Sequence, residues 1–185
     1  GSKGIGKEIA FQMARTGSQV GILDVDGVMT DGRIILTSAG DQQRTMNIKD
    51  GFALQFAVKQ GYKIAVISGG KAEAIRQRFA GLGIHDVFLG IADKIEAYKE
   101  LCDTYNIKDE SVLYMGDDIP DYEVMCKVGF PSAPNNACEE IKNISAYISP
   151  FTGGNGCVRD VIEQVLKAQD KWFDPAKIND KDFTW

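Results

Sequence analysis

Short apolar segments alternate with longer helix-like segments along most of the chain, and this alternation constrains the fold more than any other feature. The segments that predict core strands are residues 19–25, 63–67, 86–89 and 111–115, with weaker ones at 130–133 and 146–148. Strands separated by helices of this length form βαβ units, whose strands lie parallel in one sheet. Such a parallel sheet is apolar on both faces, and helices cover both of them. We therefore predict an α/β fold with a parallel sheet between two layers of helices.

The segments between these strands have the composition of helices, with one exception. The predicted helices are residues 50–60, 71–80, 93–105, 136–142 and 156–168, with another that ends at Val128. Asp50 is the predicted N-cap of the first of them. The exception is a β-hairpin after the first strand, predicted from two strand-like runs at 33–37 and 43–48 that are separated by a short polar loop.

The length of 185 residues, with 44% hydrophobic residues, is that of one domain with a single sizeable core. We predict a helical N-terminal extension at residues 1–18, an α/β domain at 19–168 and a tail at 169–185. Large aromatic side chains are costly to leave in water, so we expect the tail to have a docking place. The aromatic residues of the tail are Trp172, Phe173, Phe183 and Trp185.

The charge and the cysteines exclude several classes of function. The net charge of −5, with acidic and basic residues interspersed, gives no basic patch for nucleic acid or an anionic membrane. No apolar run approaches the roughly 18 residues of a membrane span. Four separated cysteines and a single histidine, His85, make a zinc cage improbable and are typical of reduced thiols in the cytoplasm. We therefore expect a cytoplasmic protein that binds neither nucleic acid nor membranes.

The first residues, Gly1-Ser-Lys-Gly-Ile-Gly6, resemble the nucleotide-binding start of short-chain dehydrogenases. That glycine motif binds a dinucleotide only when a strand leads into it, and we expect no such strand before Gly1. The chain also lacks the Tyr-x-x-x-Lys pair of those enzymes. We therefore interpret this segment as a helical extension.

Two carboxylates, Asp24 and Asp26, follow directly after the first apolar segment. Residues two apart in a strand point to the same face, so both acids project from one side, and Gly27 then opens a turn. Open α/β sheets bind their ligands at this end of the strands. The pair therefore indicates an acid/base or metal site, although an ordinary Asx turn would have the same sequence.

Other polar residues follow the second, third and fourth predicted strands. These residues are Ser68, Gly69, Gly70, Lys94, Asp117, Asp118 and Asp121. The topology of a parallel sheet brings all of them to one edge. Each could instead cap a helix or face solvent, but their joint occurrence favours a site. Five carboxylates at one edge require a hard cation with oxygen ligands, most plausibly Mg²⁺ bound together with a substrate phosphate.

Four motifs occur here in the order that is found in the haloacid dehalogenase (HAD) superfamily of phosphatases. The motifs are Asp24-Val-Asp26, Ser68, Lys94 and Gly116-Asp-Asp-Ile-Pro-Asp121. The resemblance covers residues 19 to 168 and implies a Rossmann-like, HAD-like sheet with a β-hairpin flap. It also implies phosphate ester hydrolysis through an aspartyl-phosphate intermediate.

The resemblance implies roles for individual residues. Asp24 is the nucleophile, and Asp26 is the general acid and then the general base. Lys94, Ser68 and Gly69 bind the phosphoryl oxygens. The implied Mg²⁺ ligands are Asp24, the backbone carbonyl of Asp26, and Asp117, while Asp118 and Asp121 would orient Lys94 or metal-bound waters.

Three longer motifs are similar to those of the 3-deoxy-D-manno-octulosonate 8-phosphate (KDO 8-phosphate) phosphatases. These motifs are residues 24–32, Asn47-Ile-Lys-Asp-Gly51 and Gly153-Gly-Asn-Gly-Cys-Val-Arg159. The resemblance implies a capless homotetramer that acts on an acid sugar phosphate in lipopolysaccharide biosynthesis, with Arg159 near the substrate carboxylate and the tail at a neighbouring site. The intervals between the motifs, filled by the hairpin and single helices, also leave no room for a cap domain.

Two alternatives remain open from the sequence. One is a phosphatase for a nine-carbon acid sugar 9-phosphate, 2-keto-3-deoxynononate or N-acylneuraminate, since the four motifs do not separate these substrates. The small pair Gly69-Gly70 favours the octulosonate. The other is a non-catalytic tetramerisation domain, against which the complete motif set argues.

Overall fold

The computed structural model describes residues 19–175. Its strands are β1 (Val20–Leu23), β2 (Ile35–Leu36), β3 (Gln42–Gln43), β4 (Lys63–Ser68), β5 (Asp86–Leu89), β6 (Val112–Met115), β7 (Phe130–Ala133) and β8 (Tyr147–Ile148). Six of them form one sheet in the order β5-β4-β1-β6-β7-β8, and every neighbouring pair is parallel. The predicted parallel sheet is confirmed, with β1 at its centre.

Helices cover both faces of this sheet. They are α1 (Ile48–Lys59), α2 (Glu73–Ala80), α3 (Lys94–Tyr105), α4 (Tyr122–Lys127), α5 (Glu139–Ile144) and α6 (Cys157–Ala168). Apolar side chains of α1, α2 and α6 form one buried cluster with the sheet. Those of α3, α4 and α5 form a second cluster on the opposite face. Each face of the sheet thus has its own core, which is why the central strands are apolar on both sides.

Strands β2 and β3 pair antiparallel as a separate hairpin after β1, so the predicted flap is confirmed with shorter strands than expected. Three consecutive apolar side chains on it face solvent: Ile34 is 45% exposed, Ile35 55% and Leu36 75%. Within residues 19–175 the intervals between the sheet strands contain no cap domain.

The predicted N-cap of α1 was wrong. Asn47 caps this helix, because its side-chain oxygen accepts a hydrogen bond from the Lys49 N–H at 2.8 Å. Asp50 lies in the first turn of the helix, and its side chain points to α6 instead. Two other helices also differ from their predicted bounds, since α2 begins at Glu73 and α5 covers Glu139–Ile144.

The predicted N-terminal extension (residues 1–18) and the tail aromatics Phe183 and Trp185 lie outside the described residues. Trp172 is described and packs edge-to-face on Phe56 of α1, with 5.4 Å between ring centroids. The beginning of the predicted tail therefore packs on its own domain. Among the described residues, no helix combines the length and the apolar character that crossing a membrane requires.

Candidate active site

The chain makes a tight turn over Val25–Met29 directly after the central strand. The Thr30 N–H donates to the Val25 carbonyl at 3.0 Å and closes this turn. Gly27 has φ +81°, and a Cβ placed on it would lie 2.0 Å from Oδ2 of Asp117. A side chain at this position would therefore expel the Asp117 carboxylate, so glycine is needed both for the turn and for the approach of the two segments.

Asp24 directly follows the central strand β1 and is 6% exposed. Its Oδ1 accepts a hydrogen bond from the Val25 N–H at 2.7 Å. Its Oδ2 lies 2.7 Å from Nζ of Lys94, whose side chain is 5% exposed at the start of α3. The structure thus places a buried carboxylate and a buried ammonium group in direct contact at the edge of the sheet.

Lys94 also contacts a second carboxylate, Asp121, at 2.7 Å. Asp121 is fully buried and accepts three further hydrogen bonds, from the Tyr114 hydroxyl at 2.7 Å, the Asp117 N–H at 3.1 Å and the Asp118 N–H at 3.5 Å. Asp118 is exposed and caps the next turn through the Ile119 N–H. Of the two acids predicted to orient Lys94 or water, Asp121 therefore contacts Lys94, whereas the side-chain hydrogen bond described for Asp118 is a helix cap.

Asp24, Asp117 and Asp121 each offer a carboxylate oxygen within 4.8 Å of the others. Burial, with the nearby Asp121 carboxylate, raises the pKa of Asp24 from 3.8 to about 6, although Lys94 acts in the opposite direction. Burial and the carboxylates of Asp24 and Asp121 raise the pKa of Asp117 to about 7. Burial alone would lower the pKa of Lys94, but Asp24 and Asp121 raise it.

This cluster carries more negative charge than Lys94 offsets, and its donors are all oxygens. That donor set fits a hard divalent cation such as Mg²⁺. Asp121 accepts from four donors, whereas Asp24 has one partner on each oxygen and no hydrogen bond is described for the Asp117 side chain. Asp24 and Asp117 are therefore the carboxylates best placed to hold the ion.

We expect Mg²⁺ to stabilise the protein more at about pH 8 than at about pH 5. The folded-state pKa values of Asp24 and Asp117, about 6 and about 7, lie above 3.8, so the folded protein keeps protons that the unfolded chain has already released. The free energy of unfolding of the metal-free protein therefore falls as the pH rises through this window. Above it both groups are ionised and bind the cation without releasing protons. Thermal unfolding in EDTA and in Mg²⁺ at several pH values measures the effect, and an equal shift in Tm at both pH values would contradict it.

Ser68 is fully buried at the end of β4, and its Oγ accepts a hydrogen bond from the Gly70 N–H at 3.2 Å. A Cβ on Gly70 would lie 3.3 Å from Oδ2 of Asp26 and 3.4 Å from the Ser68 Oγ. Gly70 thus lies close to both Ser68 and Asp26, and Gly69 beside it is exposed. The structure brings Asp24, Asp26, Ser68, Lys94 and Asp117 to one edge of the sheet, as the sequence predicted.

The sequence did not predict that Arg44 contacts this site. Arg44 follows β3 on the hairpin, and its Nε lies 2.6 Å from Oδ1 of Asp26 while Nη2 lies 3.2 Å from Oδ2. Its side chain is only 9% exposed. The only signal in the sequence is a basic residue on the hairpin that follows the Asp24–Asp26 turn, and hairpins carry such residues often.

A second unpredicted contact joins the motifs around Asp50 and Gly153. The Asp50 carboxylate is fully buried and accepts hydrogen bonds from the Arg159 N–H at 2.7 Å and the Gly156 N–H at 3.2 Å. Gly153 packs so closely on the Val25–Met29 turn that a Cβ on it would lie 1.9 Å from the Gly27 carbonyl oxygen. The first turn of α1 thus holds the glycine loop (Gly153–Gly156) against the turn that carries Asp26.

The guanidinium group of Arg159, predicted to meet a substrate carboxylate, contacts other residues in this chain. Its Nε lies 3.5 Å from Glu163, and its Cζ lies 5.7 Å from the Phe52 ring and 5.6 Å from the Trp172 ring. None of these described contacts is with the carboxylates at the sheet edge. The role predicted for Arg159 stays a prediction.

Comparison with known proteins gives relatives with a common activity. The family model of a haloacid dehalogenase-like hydrolase matches residues 80–161. The 3-deoxy-D-manno-octulosonate 8-phosphate phosphatase KdsC of Yersinia pestis is 37% identical over 150 residues, covering 81% of this chain and 80% of the relative. KdsC of Escherichia coli (strain K12) is 37% identical over 156 residues, covering 84% and 82% respectively.

A solved structure gives the same result. The 3-deoxy-D-manno-octulosonate 8-phosphate phosphatase from Moraxella catarrhalis, crystallised in complex with a magnesium ion, a phosphate ion and KDO, superimposes with a TM-score of 0.84 and 35% identity. The match covers 89% of this chain and 93% of that one, which confirms the HAD-like fold. This chain therefore belongs to the 3-deoxy-D-manno-octulosonate 8-phosphate phosphatase family of the haloacid dehalogenase-like hydrolases.

Proposed function

We propose that this protein is a Mg²⁺-dependent phosphatase that hydrolyses KDO 8-phosphate to KDO and phosphate through an aspartyl-phosphate on Asp24. The observation that carries the proposal is the buried Asp24–Lys94 contact, at 2.7 Å, beside Asp117 at the end of the central strand. A nucleophile, a cation and a metal-binding carboxylate converge there. The names of the relatives, matched over most of the chain, supply the substrate.

In the first step, an oxygen of Asp24 attacks phosphorus, and the bond between phosphorus and the C8 oxygen of the sugar breaks. Asp26 gives its proton to the departing oxygen, which leaves as the alcohol. Asp24 is held for this attack by the Val25 N–H and by Lys94. Lys94 and Ser68 offset the charge that builds up on the phosphoryl oxygens.

In the second step, water attacks phosphorus and the bond to Asp24 breaks, which releases phosphate. Asp26 accepts the proton of the attacking water and is thereby restored as the acid for the next cycle. Both steps need the Asp26 carboxyl group beside the reacting phosphorus. The Val25–Met29 turn, supported by the glycine loop, sets the position of its backbone.

Mg²⁺ would be held by Asp24, Asp117 and the backbone carbonyl of Asp26, and when bound it would offset the charge of the phosphoryl group. The narrow gap between Gly27 and Asp117 fits this assignment, because only glycine lets the Asp117 carboxylate approach the turn. Asp121 would act by holding Lys94 rather than by binding the ion.

Phosphate release from a panel of sugar phosphates, with and without Mg²⁺, tests the proposal. The panel contains KDO 8-phosphate, 2-keto-3-deoxynononate 9-phosphate, N-acetylneuraminate 9-phosphate and glucose 6-phosphate. We expect the highest kcat/KM for KDO 8-phosphate and none after exhaustive chelation. Preference for a nine-carbon substrate would refute the substrate assignment. If no member of the panel were hydrolysed, the alternative of a non-catalytic tetramerisation domain would be favoured.

We also propose that the protein is a homotetramer in the cytoplasm. The exposed apolar residues of the hairpin support a subunit interface at the hairpin. A two-stranded hairpin is marginally stable alone, and Ile34, Ile35 and Leu36 expose contiguous apolar surface. A symmetric assembly would cover this surface with the same surface of other subunits.

We expect Leu36→Lys to dissociate the tetramer, because a charge would replace the most exposed apolar side chain of the hairpin, at 75% exposure. Sedimentation velocity measures the change in mass. Ile148→Lys, at a 40% exposed position on β8, is the matched control and should keep the mass of the wild type. A wild-type protein that sediments as a monomer would disprove the tetramer.

A further inference from the structure

Arg44 lies directly after the second hairpin strand, and among the contacts described for the hairpin it is the one that brings a charged group to the candidate site. Its neighbours Gln42, Gln43 and Leu36 are exposed, whereas its own side chain is 9% exposed. Both oxygens of Asp26 accept from it, at 2.6 and 3.2 Å. These two contacts fix the guanidinium plane relative to the carboxylate plane, whereas a single contact would leave them free to rotate.

Asp26 depends on this contact for its orientation. Asp24 is held by Val25 and Lys94, and Asp121 by four described donors. In contrast, the hydrogen bonds described for the Asp26 side chain all come from Arg44. The Asp26 side chain is also 37% exposed, so packing constrains it less than it constrains the buried acids. Without Arg44, the carboxylate would be free to rotate on the turn.

We propose that Arg44 is a positioning residue that aims the Asp26 carboxylate at the attacking water in the second step. This inference rests on the proposed function. The second step is the one that uses Asp26 as a carboxylate, which is the form that a guanidinium group holds. The proton path is unchanged: water loses its proton to Asp26 while the bond between phosphorus and Asp24 breaks.

The contact between Arg44 and Asp26 also makes the second step depend on the position of the hairpin. Arg44 follows β3 directly, so any movement of the hairpin away from the sheet edge would pull the guanidinium group off Asp26. Catalysis of the second step therefore requires the hairpin to lie over the site. A residue that only anchored the hairpin would affect stability and assembly but would not discriminate between the two chemical steps.

Pre-steady-state kinetics with p-nitrophenyl phosphate separates the two steps, because nitrophenolate leaves without a proton from Asp26. In Arg44→Ala we expect the initial burst of nitrophenolate to keep its rate, while the steady-state rate falls about 10- to 100-fold, as misplacement of a catalytic group produces. Phosphoenzyme then accumulates. Arg33→Ala is the matched control, since Arg33 lies on the same hairpin with its side chain 88% exposed, and it should behave as the wild type.

Chemical rescue gives an independent readout. Because Arg44 is nearly buried, its removal leaves a cavity beside Asp26 that a free guanidinium ion can enter. Millimolar guanidinium should raise the steady-state rate of Arg44→Ala several-fold and leave the wild type and Arg33→Ala unchanged, and Arg44→Lys should lie between wild type and Arg44→Ala.

The outcomes are distinguishable. If Arg44→Ala slowed the burst and the steady state equally, Arg44 would bind the phosphate or stabilise the fold, and the proposal would be overturned. An unchanged steady-state rate, or no rescue by guanidinium, would also overturn it. Failure of the wild type to hydrolyse any phosphate ester would instead refute the proposed function itself.

Discussion

Asp24→Asn is expected to lower phosphate release by about 10³-fold or more, because an amide is a poor nucleophile and the covalent intermediate cannot form. The variant should remain folded. Burial disfavours the charged form of Asp24, as its pKa of about 6 indicates, so a neutral side chain of the same shape is tolerated. Lys94 keeps its contact with Asp121 at 2.7 Å.

Steady-state kinetics with KDO 8-phosphate and thermal unfolding measure the two halves of this prediction. Asp103→Asn, at an exposed position near the end of α3, makes the same chemical change away from the site and should keep full activity. Trapping radiolabelled phosphate on the wild type, but not on Asp24→Asn, would identify the acceptor. Wild-type turnover in Asp24→Asn would show that another residue attacks phosphorus.

Lys94→Met is expected to have the second-largest effect, on both activity and stability. Removal of one partner from a buried ion pair leaves uncompensated charge, which typically costs about 3–5 kcal/mol. Here Asp24 and Asp121 would both lose the ammonium group that lies 2.7 Å from each. The loss of stability should be smaller at about pH 5, because protonation removes part of the unpaired charge.

Denaturant unfolding in EDTA at two pH values measures that loss, and kinetics should show a decrease in kcat of about 10²-fold or more. Lys99→Met is the matched control on the same helix. Lys99 has a 50% exposed side chain and pairs only with Glu96 among the contacts described, so its removal should change little. If Lys94→Met were as stable as Lys99→Met, the buried ion pair would not hold the site together.

The sequence predicted the strands of the sheet well because each is a short apolar run with polar residues or glycine at its ends. It also predicted that Asp24, Ser68, Lys94 and Asp117 converge, because the topology of a parallel sheet fixes where strand ends meet. These inferences need only local pattern and chain order.

The contacts of Arg44 and Asp50 could not be predicted, because they depend on how distant segments pack. Strand periodicity gives the face on which a hairpin residue lies, but not the angle at which the hairpin folds back over the sheet. Asp50 looked like a helix cap for α1, and its true partners, Gly156 and Arg159, lie more than 100 residues later along the chain. Only the packing of α1 against α6 brings them together.

The central position of β1 has a consequence for how the protein is made. Leu23 pairs with Val66 of β4 on one side and with Met115 of β6 on the other, and the Asp24 N–H donates to the Met115 carbonyl at 3.0 Å. During synthesis, about 90 further residues are added after β1 before its second neighbour, β6, emerges from the ribosome. Until then its apolar edge is open to pairing with other chains. Chaperone dependence should therefore be greatest for nascent chains that end between β4 and β6, and should disappear once Met115 has left the exit tunnel.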